Sequence, residues 1–268
     1  MTPSWLKPFW RYYGGKWRAA PRYPQPLHAT IVEPFAGAAG YALRHYQRKV
    51  VLIEKYTVIA EMWRWLIGAS RAEVLAIPEV FDLDDLPSWV PQGARALVGF
   101  GLAEGAGSPR QRMSPVARRN RGTRPERPNS ANHARGWSPA MKDRVASQVE
   151  HIRHWRVIEG DYTEAPDLVA TWFIDPPYQV AGNKVYVHRA KNIDYDALGE
   201  WSKRRQGQIV VCENDGASWL PFQPLYSTTT TMNGASNREA LWTNVADVAP
   251  DAQPTPASRS RAATGTCL

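Results

Sequence analysis

Cysteine is almost missing from this chain: Cys212 and Cys267 are the only two. That excludes a disulfide framework and a cysteine-built zinc site, and it suits a reducing cytoplasm. Long apolar runs are missing as well. No stretch approaches the roughly 18 residues of a membrane span. Mean hydropathy is −0.46 with 22% charged residues, so no membrane partner is expected. Met1-Thr2-Pro3-Ser4-Trp5 holds no basic segment followed by an apolar stretch, so no signal peptide is expected. The histidines are scattered without ligand spacing, and His151 and His154 have no partners nearby in sequence, so no metal is expected. No internal repeat is visible.

What is abundant is positive charge. Lys and Arg number 33 against 25 Asp and Glu, a net charge of +8. The isoelectric point is near 9.6, which favours a polyanionic partner. A chain of 268 residues, 43% hydrophobic, can bury one sizeable α/β core. The 12 tryptophans read mainly as core filler and anchors. The basic excess concentrates in residues 105–137, with Arg110, Arg112, Arg118, Arg119, Arg121, Arg124, Arg127 and Arg135 opposed only by Glu126. Prolines break any periodicity there, and Met113 and Val116 are nearly its only sizeable apolar residues. The segment reads as a solvated loop with no core of its own, one that orders on a phosphate backbone through arginine contacts. The expected division is a catalytic domain in two parts, 1–104 and 138–246, around a DNA-contacting insert at 105–137, with an unstructured tail at 247–268 rich in Ala, Pro, Ser and Thr.

The rest alternates strand and helix signals. Residues 30–33, 49–53, 157–159, 171–174 and 208–212 are short apolar or β-branched runs. Residues 39–47, 58–67, 139–155 and 195–204 read as helices. In the third, Met141, Val145, Val149, Ile152 and Trp155 share one face, behind a Ser138-Pro139 start. Runs at 225–232 and 239–245, joined through Asn233-Gly234, predict a hairpin. The expected fold class is α/β: a Rossmann-like, mostly parallel sheet ending in an antiparallel hairpin, with ligands at the carboxyl ends of the strands.

Three segments carry chemistry. In Ile31-Val32-Glu33-Pro34-Phe35-Ala36-Gly37-Ala38-Ala39-Gly40 an apolar strand runs into small residues that let a ligand approach the backbone. Its spacing is neither G-x-G-x-x-G nor a phosphate-binding loop, which points to an adenosine-type cofactor rather than a dinucleotide. Glu54, at the tip of the next strand, is placed to accept the hydroxyls of a ribose. Trp172-Phe173-Ile174-Asp175-Pro176-Pro177-Tyr178 delivers an aspartate, two prolines without N–H groups and an aromatic ring from a buried strand. A carboxylate and a fixed carbonyl can grip both hydrogens of an exocyclic amine, with the Tyr178 ring stacking on the base that carries it.

Asp175-Pro176-Pro177-Tyr178, Pro34-Phe35-Ala36-Gly37 and Tyr12-Tyr13-Gly14-Gly15-Lys16 together resemble the Dam-type family of DNA adenine methyltransferases, phage-like members included. The likeness runs roughly from residue 12 to 245, and the tetrapeptide is its most specific element. It implies a Rossmann-like fold that binds S-adenosyl-L-methionine, releases S-adenosyl-L-homocysteine and uses no metal. It also implies methyl transfer to N6 of an adenine flipped out of double-stranded DNA in a bacterial or phage-infected cytoplasm. By position, Tyr12, Lys16, Pro34, Phe35, Ala36, Gly37, Glu54, Asp161 and Asp175 would hold the cofactor. Asp175, Pro176, Pro177 and Tyr178 would hold the base. Glu54 stands where the family more often has Asp, and Tyr12 where many members carry Trp. Lys184, Tyr186, His188 and Arg189 fall where the family places a mobile DNA-touching segment, and Arg238–Asn244 resembles a late structural strand. Methylation of the cytosine N4 amine, a catalytically silent DNA-binding regulator and a nicotinamide oxidoreductase stand as alternatives. The recognition sequence and the choice between monomer and homodimer are not legible.

Overall fold

The computed structural model describes residues 4–103, 107–115, 117–118, 136–180, 187, 190–229 and 236–245. The chain forms an α/β fold on one seven-stranded sheet: β1 Thr30–Glu33, β2 Lys49–Glu54, β3 Arg156–Glu159, β4 Ala170–Ile174, β5 Gly207–Asn214, β6 Gln223–Thr229 and β7 Ser236–Thr243. The spatial order is β3-β2-β1-β4-β5-β7-β6. The first five of these are parallel, and β7 runs antiparallel to both β5 and β6. This mostly parallel sheet closed by an antiparallel hairpin is compatible with a Rossmann-like fold. The chain leaves β1 for β2 on one side, while β4 lies on the other. A crevice therefore opens at the carboxyl ends of β1 and β4, where such sheets place ligands.

Period-two alternation sorts the strand side chains between two buried faces. Ile31, Val50, Leu52, Phe173, Val210 and Cys212 enter one core, and Val32, Ile53, Trp172, Ile174, Ile209 and Val211 the other. The first face is covered by α1 (Thr57–Gly68), α2 (Arg71–Ala76), α3 (Gln92–Ala103) and α4 (Pro139–Ala146), together with the aromatic N-terminal segment. The second is covered by α5 (Tyr195–Lys203) through Leu198 and Trp201. Trp10, Trp63, Trp137, Trp155, Trp172, Trp201 and Trp219 are buried, so core filling is the main use of tryptophan.

Two expected helices differ. The segment 39–47 holds only a 3-10 turn at Ala42–His45. Gly37 and Ala39 take φ of +44° and +48°, a left-handed backbone that cannot start a helix there. The segment 139–155 begins as expected, with the Ser138 hydroxyl capping the Met141 N–H, but α4 stops at Ala146 and continues as a 3-10 turn, Val149–Ile152. Gln148 is drawn into a two-way bond with the Lys7 backbone, at 2.6 and 3.2 Å, which diverts the helix while its apolar face stays buried.

The arginine-rich insert is anchored at its start. Arg110 N–H donates to Gly99, Gln111 accepts from Leu83 N–H, and Met113 N–H donates to Phe81. Met113 and Ala117 are buried with Leu102. Residues 107–115 thus borrow the surface of α3 and the 81–83 segment as a core, which their own composition does not provide. The tail at 247–268 lies outside the described residues. Among the described residues, no helix is long and apolar enough to cross a membrane.

Candidate functional site

The loop after β1 is pinned to the tip of β2. Ala36 N–H donates to the Ile53 carbonyl, Gly37 N–H to Glu54 Oε2 at 2.9 Å, and Tyr56 N–H to Glu54 Oε1 at 2.8 Å. The Lys55 N–H is a third donor to this carboxylate, so of its roughly four acceptor positions one is left for a hydroxyl group. At Gly37 a side chain would also meet the Tyr12 ring, its Cβ standing 3.1 Å from Cε1. The small residues expected in this loop are therefore required twice, by backbone conformation and by close approach.

These elements wall a cavity of about 450 Å³ over the carboxyl ends of β1, β2 and β4, within the range of small-molecule sites. Every expected cofactor residue lines it: Tyr12, Lys16, Pro34, Phe35, Ala36, Gly37, Glu54, Asp161 and Asp175. Pro177 lines it too, whereas Pro176 is buried off the cavity wall. The sequence reading missed Glu33, Lys55, Tyr162 and Asp194, which also line it. Tyr162 stacks on Phe35 with centroids 5.5 Å apart, and Asp194 caps α5 through the Ala197 N–H. Glu33, Lys55 and Tyr162 are chain neighbours of the expected Pro34, Glu54 and Asp161, whereas only the fold brings Asp194 to them.

The cavity is acidic inside a basic protein. Glu33, Glu54, Asp161, Asp175 and Asp194 face it against Lys16 and Lys55, and both lysines are paired, to Asp175 and Asp161, at 2.9 Å each. Burial pushes Glu33 up to about 8 and Glu54 up to about 7, in both cases against backbone N–H bonds that favour the charge. Burial also works against Asp161, but the Lys55 ammonium and the Thr163 donors outweigh it and hold that carboxyl below its ordinary value. With Glu33 neutral at pH 7 and both lysines paired, Asp194 and the partly ionised Glu54 leave a small negative excess, which favours a cationic ligand over the diphosphate of a dinucleotide.

The tetrapeptide leaves the end of β4 as predicted, with Asp175 on the cavity wall. Burial raises the Asp175 carboxyl, the Lys16 ammonium draws it back, and Glu239 adds to the rise. Lys16 Nζ sits 2.9 Å from Asp175 Oδ1, 3.0 Å from the Gly14 carbonyl and 4.6 Å from the centre of the Tyr178 ring. Asp175 is thus not the fully open acceptor that the sequence suggests: its Oδ1 is already held by an ammonium. Tyr178 does not present a bare stacking face either. It is buried under Lys16, and its hydroxyl donates to Glu239 Oε1. The Pro177 carbonyl accepts the Tyr195 hydroxyl. Glu213, fully buried on β5, accepts the Gln179 N–H at 2.9 Å and the Trp219 indole N–H at 3.1 Å, fixing the chain just past the tetrapeptide.

Of the expected DNA contacts, Arg110, Arg112 and Arg118 are exposed. Arg112 is paired with Asp82 and Asp84, and the Arg118 guanidinium lies 4.9 Å from the centre of the Phe81 ring. Arg119, Arg121, Arg124, Lys184, Tyr186, His188 and Arg189 lie outside the described residues. Among the described residues, no group of three or more His, Cys, Asp or Glu side chains is placed to hold a metal ion. In comparisons with known proteins, no family model and no curated protein matches this chain.

Proposed function

We propose that this protein is a DNA methyltransferase that moves a methyl group from S-adenosyl-L-methionine to the N6 amine of an adenine flipped out of double-stranded DNA. The observation that carries the reading is the placing of Asp175 and Lys16 on the wall of an acidic, adenosine-sized cavity at the β1/β4 crevice, with Glu54 at the tip of β2. The residues fit the donor: Glu54 retains acceptor capacity for a ribose hydroxyl, Phe35 and Tyr162 offer aromatic walls, and the negative excess left by Asp194 and Glu54 suits a ligand that carries a sulfonium and an ammonium. Bound there, S-adenosyl-L-methionine would supply an already activated methyl group.

The chain then has to supply alignment and charge. The amine of the target base replaces Lys16 on Asp175, and the carboxylate orients its lone pair by accepting an N–H. The same oxygens stabilise the positive charge that develops on nitrogen as its bond to carbon forms; the donor's carbon–sulfur bond would break in the same step, and the surplus N6 proton passes to solvent. Holding two reactants in line is worth up to ~7–11 kcal/mol in well-oriented systems. Turning the base out of the duplex costs a few kcal/mol, and the arginine-rich insert supplies phosphate contacts that offset it. The test is incubation with methyl-labelled S-adenosyl-L-methionine and unmethylated genomic DNA, followed by modified-base sequencing. Label is expected in N6-methyladenine, and Asp175→Ala is expected to lower turnover at least 1000-fold while DNA affinity stays within about threefold of wild type. Label in cytosine, or an Asp175→Ala variant at wild-type rate, would overturn the assignment.

A further inference from the structure

Strand β7, which the sequence marks as structural, delivers one charged side chain to the base of the site. Glu239 is 2% exposed. Its Oε1 accepts the Tyr23 hydroxyl at 2.8 Å and the Tyr178 hydroxyl, and Lys16 Nζ stands 3.7 Å away. The register Asn214↔Glu239 on β5 and Tyr226↔Glu239 on β6 holds the residue between two strands, so its backbone has little freedom. The same Lys16 ammonium is therefore within reach of two carboxylates, Asp175 and Glu239, over the ring of Tyr178.

Buried charge clusters are weak evidence for stability, because desolvation consumes most of the attraction. This one has a different use. An amine that takes Asp175 Oδ1 displaces the ammonium, and a displaced ammonium left unpaired in a buried site is costly. Glu239 offers it a second carboxylate without leaving the site. Resting on the methyltransferase reading, we propose that Glu239 is a positioning residue that fixes the Tyr178 ring and receives the Lys16 ammonium when substrate takes Asp175. It touches no reacting atom and acts through Tyr178 and Lys16.

Glu239→Gln keeps the acceptor oxygen and removes the charge. With labelled S-adenosyl-L-methionine and unmethylated genomic DNA, kcat is expected to fall at least tenfold, with both KM values within threefold of wild type. Tyr23→Phe removes a donor from the same carboxylate away from the cavity, and its kcat is expected within threefold of wild type. Should Glu239→Gln fail to fold, Glu239→Asp, with its carboxylate drawn back by one methylene, carries the same expectation of a kcat loss at constant KM. A second readout is independent of turnover: the 1H–15N signal of the Lys16 ammonium, assigned by Lys16→Arg, is expected to exchange with water at least tenfold faster in Glu239→Gln. A variant kcat within twofold of wild type, or equal losses in Glu239→Gln and Tyr23→Phe, would overturn the positioning role. If the wild-type chain transfers no methyl group, the enzyme assignment fails. The ammonium signal then decides this inference alone, and unchanged exchange overturns it.

Discussion

Glu33 gives a sharp test of the site's electrostatics. It lies at the end of β1, 3% exposed, with Oε1 accepting the Ala42 N–H at 2.6 Å. Burial lifts its carboxyl from 4.5 to about 8; the Ala42 N–H and Lys16 work against the rise and Asp175 adds to it, all with smaller effect. The unfolded chain loses this proton near 4.5, whereas the folded chain keeps it to about 8. Between those values the folded state binds the extra proton, so unfolding becomes easier as pH rises. The contribution is fully present below 4.5 and is lost as pH passes the folded value. At 1.36 kcal/mol per pH unit the whole effect is on the order of 5 kcal/mol, an upper figure because a buried site relaxes around its charge. Glu33→Gln keeps the acceptor for Ala42 and has no proton to lose. Urea unfolding followed by tryptophan fluorescence at pH 5, 6, 7 and 8 should therefore show wild type losing up to roughly 3 kcal/mol more than the variant across that window. The other buried carboxylates titrate in both proteins and cancel in the difference. Stability curves that run parallel to within about 0.5 kcal/mol would refute the assignment of a neutral, buried Glu33.

Three further outcomes are expected. Gly40→Ala would place a Cβ 2.4 Å from the Trp17 backbone nitrogen and 2.9 Å from Lys16 backbone atoms. It should destabilise the chain by roughly 1–3 kcal/mol and weaken binding of S-adenosyl-L-homocysteine, measured by calorimetry; unchanged binding would mean that the segment carrying Lys16 does not shape the cavity. Because burial sets Glu54 near 7, affinity for S-adenosyl-L-methionine should fall as pH drops from 8 to 6, while Glu54→Gln binds weakly with a flat profile; a wild-type profile without that slope would remove Glu54 from the ribose role. Neutralising Arg118, Arg119 and Arg121 together should reduce the slope of log affinity for DNA against log salt by roughly 2–3, and an unchanged slope would detach that segment from DNA.

The sequence made the sheet legible because its central strands are apolar on both sides. Ile31-Val32, Val50 to Ile53 and Trp172 to Ile174 each read as buried runs, and each is one apart from the half-buried Val51. The cofactor wall was legible for a related reason, since small residues and strand-end carboxylates cluster in sequence. Helix α3 was not legible. Its Gly93, Gly99 and Gly101 lower helix propensity, yet Gly93 is what lets α3 approach α1, where a Cβ would lie 2.5 Å from the Glu61 carbonyl. Nor could spacing disclose the bonds of Gln148 to Lys7 or of Glu239 to Tyr23, which join distant parts of the chain. The Ser70–Glu73 capping box of α2 was a readable signal that the apolar pattern overshadowed.

The hairpin at the end of the sheet has a consequence for biosynthesis. Strand β6 is made before β7 but lies outside it, so its only partner in the sheet has not yet been synthesised when it emerges. Until then β5 presents an unprotected edge to other chains. The two halves of the proposed lysine clamp also come from opposite ends of the polypeptide, Lys16 early and Glu239 late. A nascent chain stalled before residue 236 would carry most of the hydrophobic core and the whole Asp175 turn, yet have an open sheet and no Glu239 beside Lys16. Closure waits for residues 236–243 to leave the ribosome, a non-local step of the kind that slows folding.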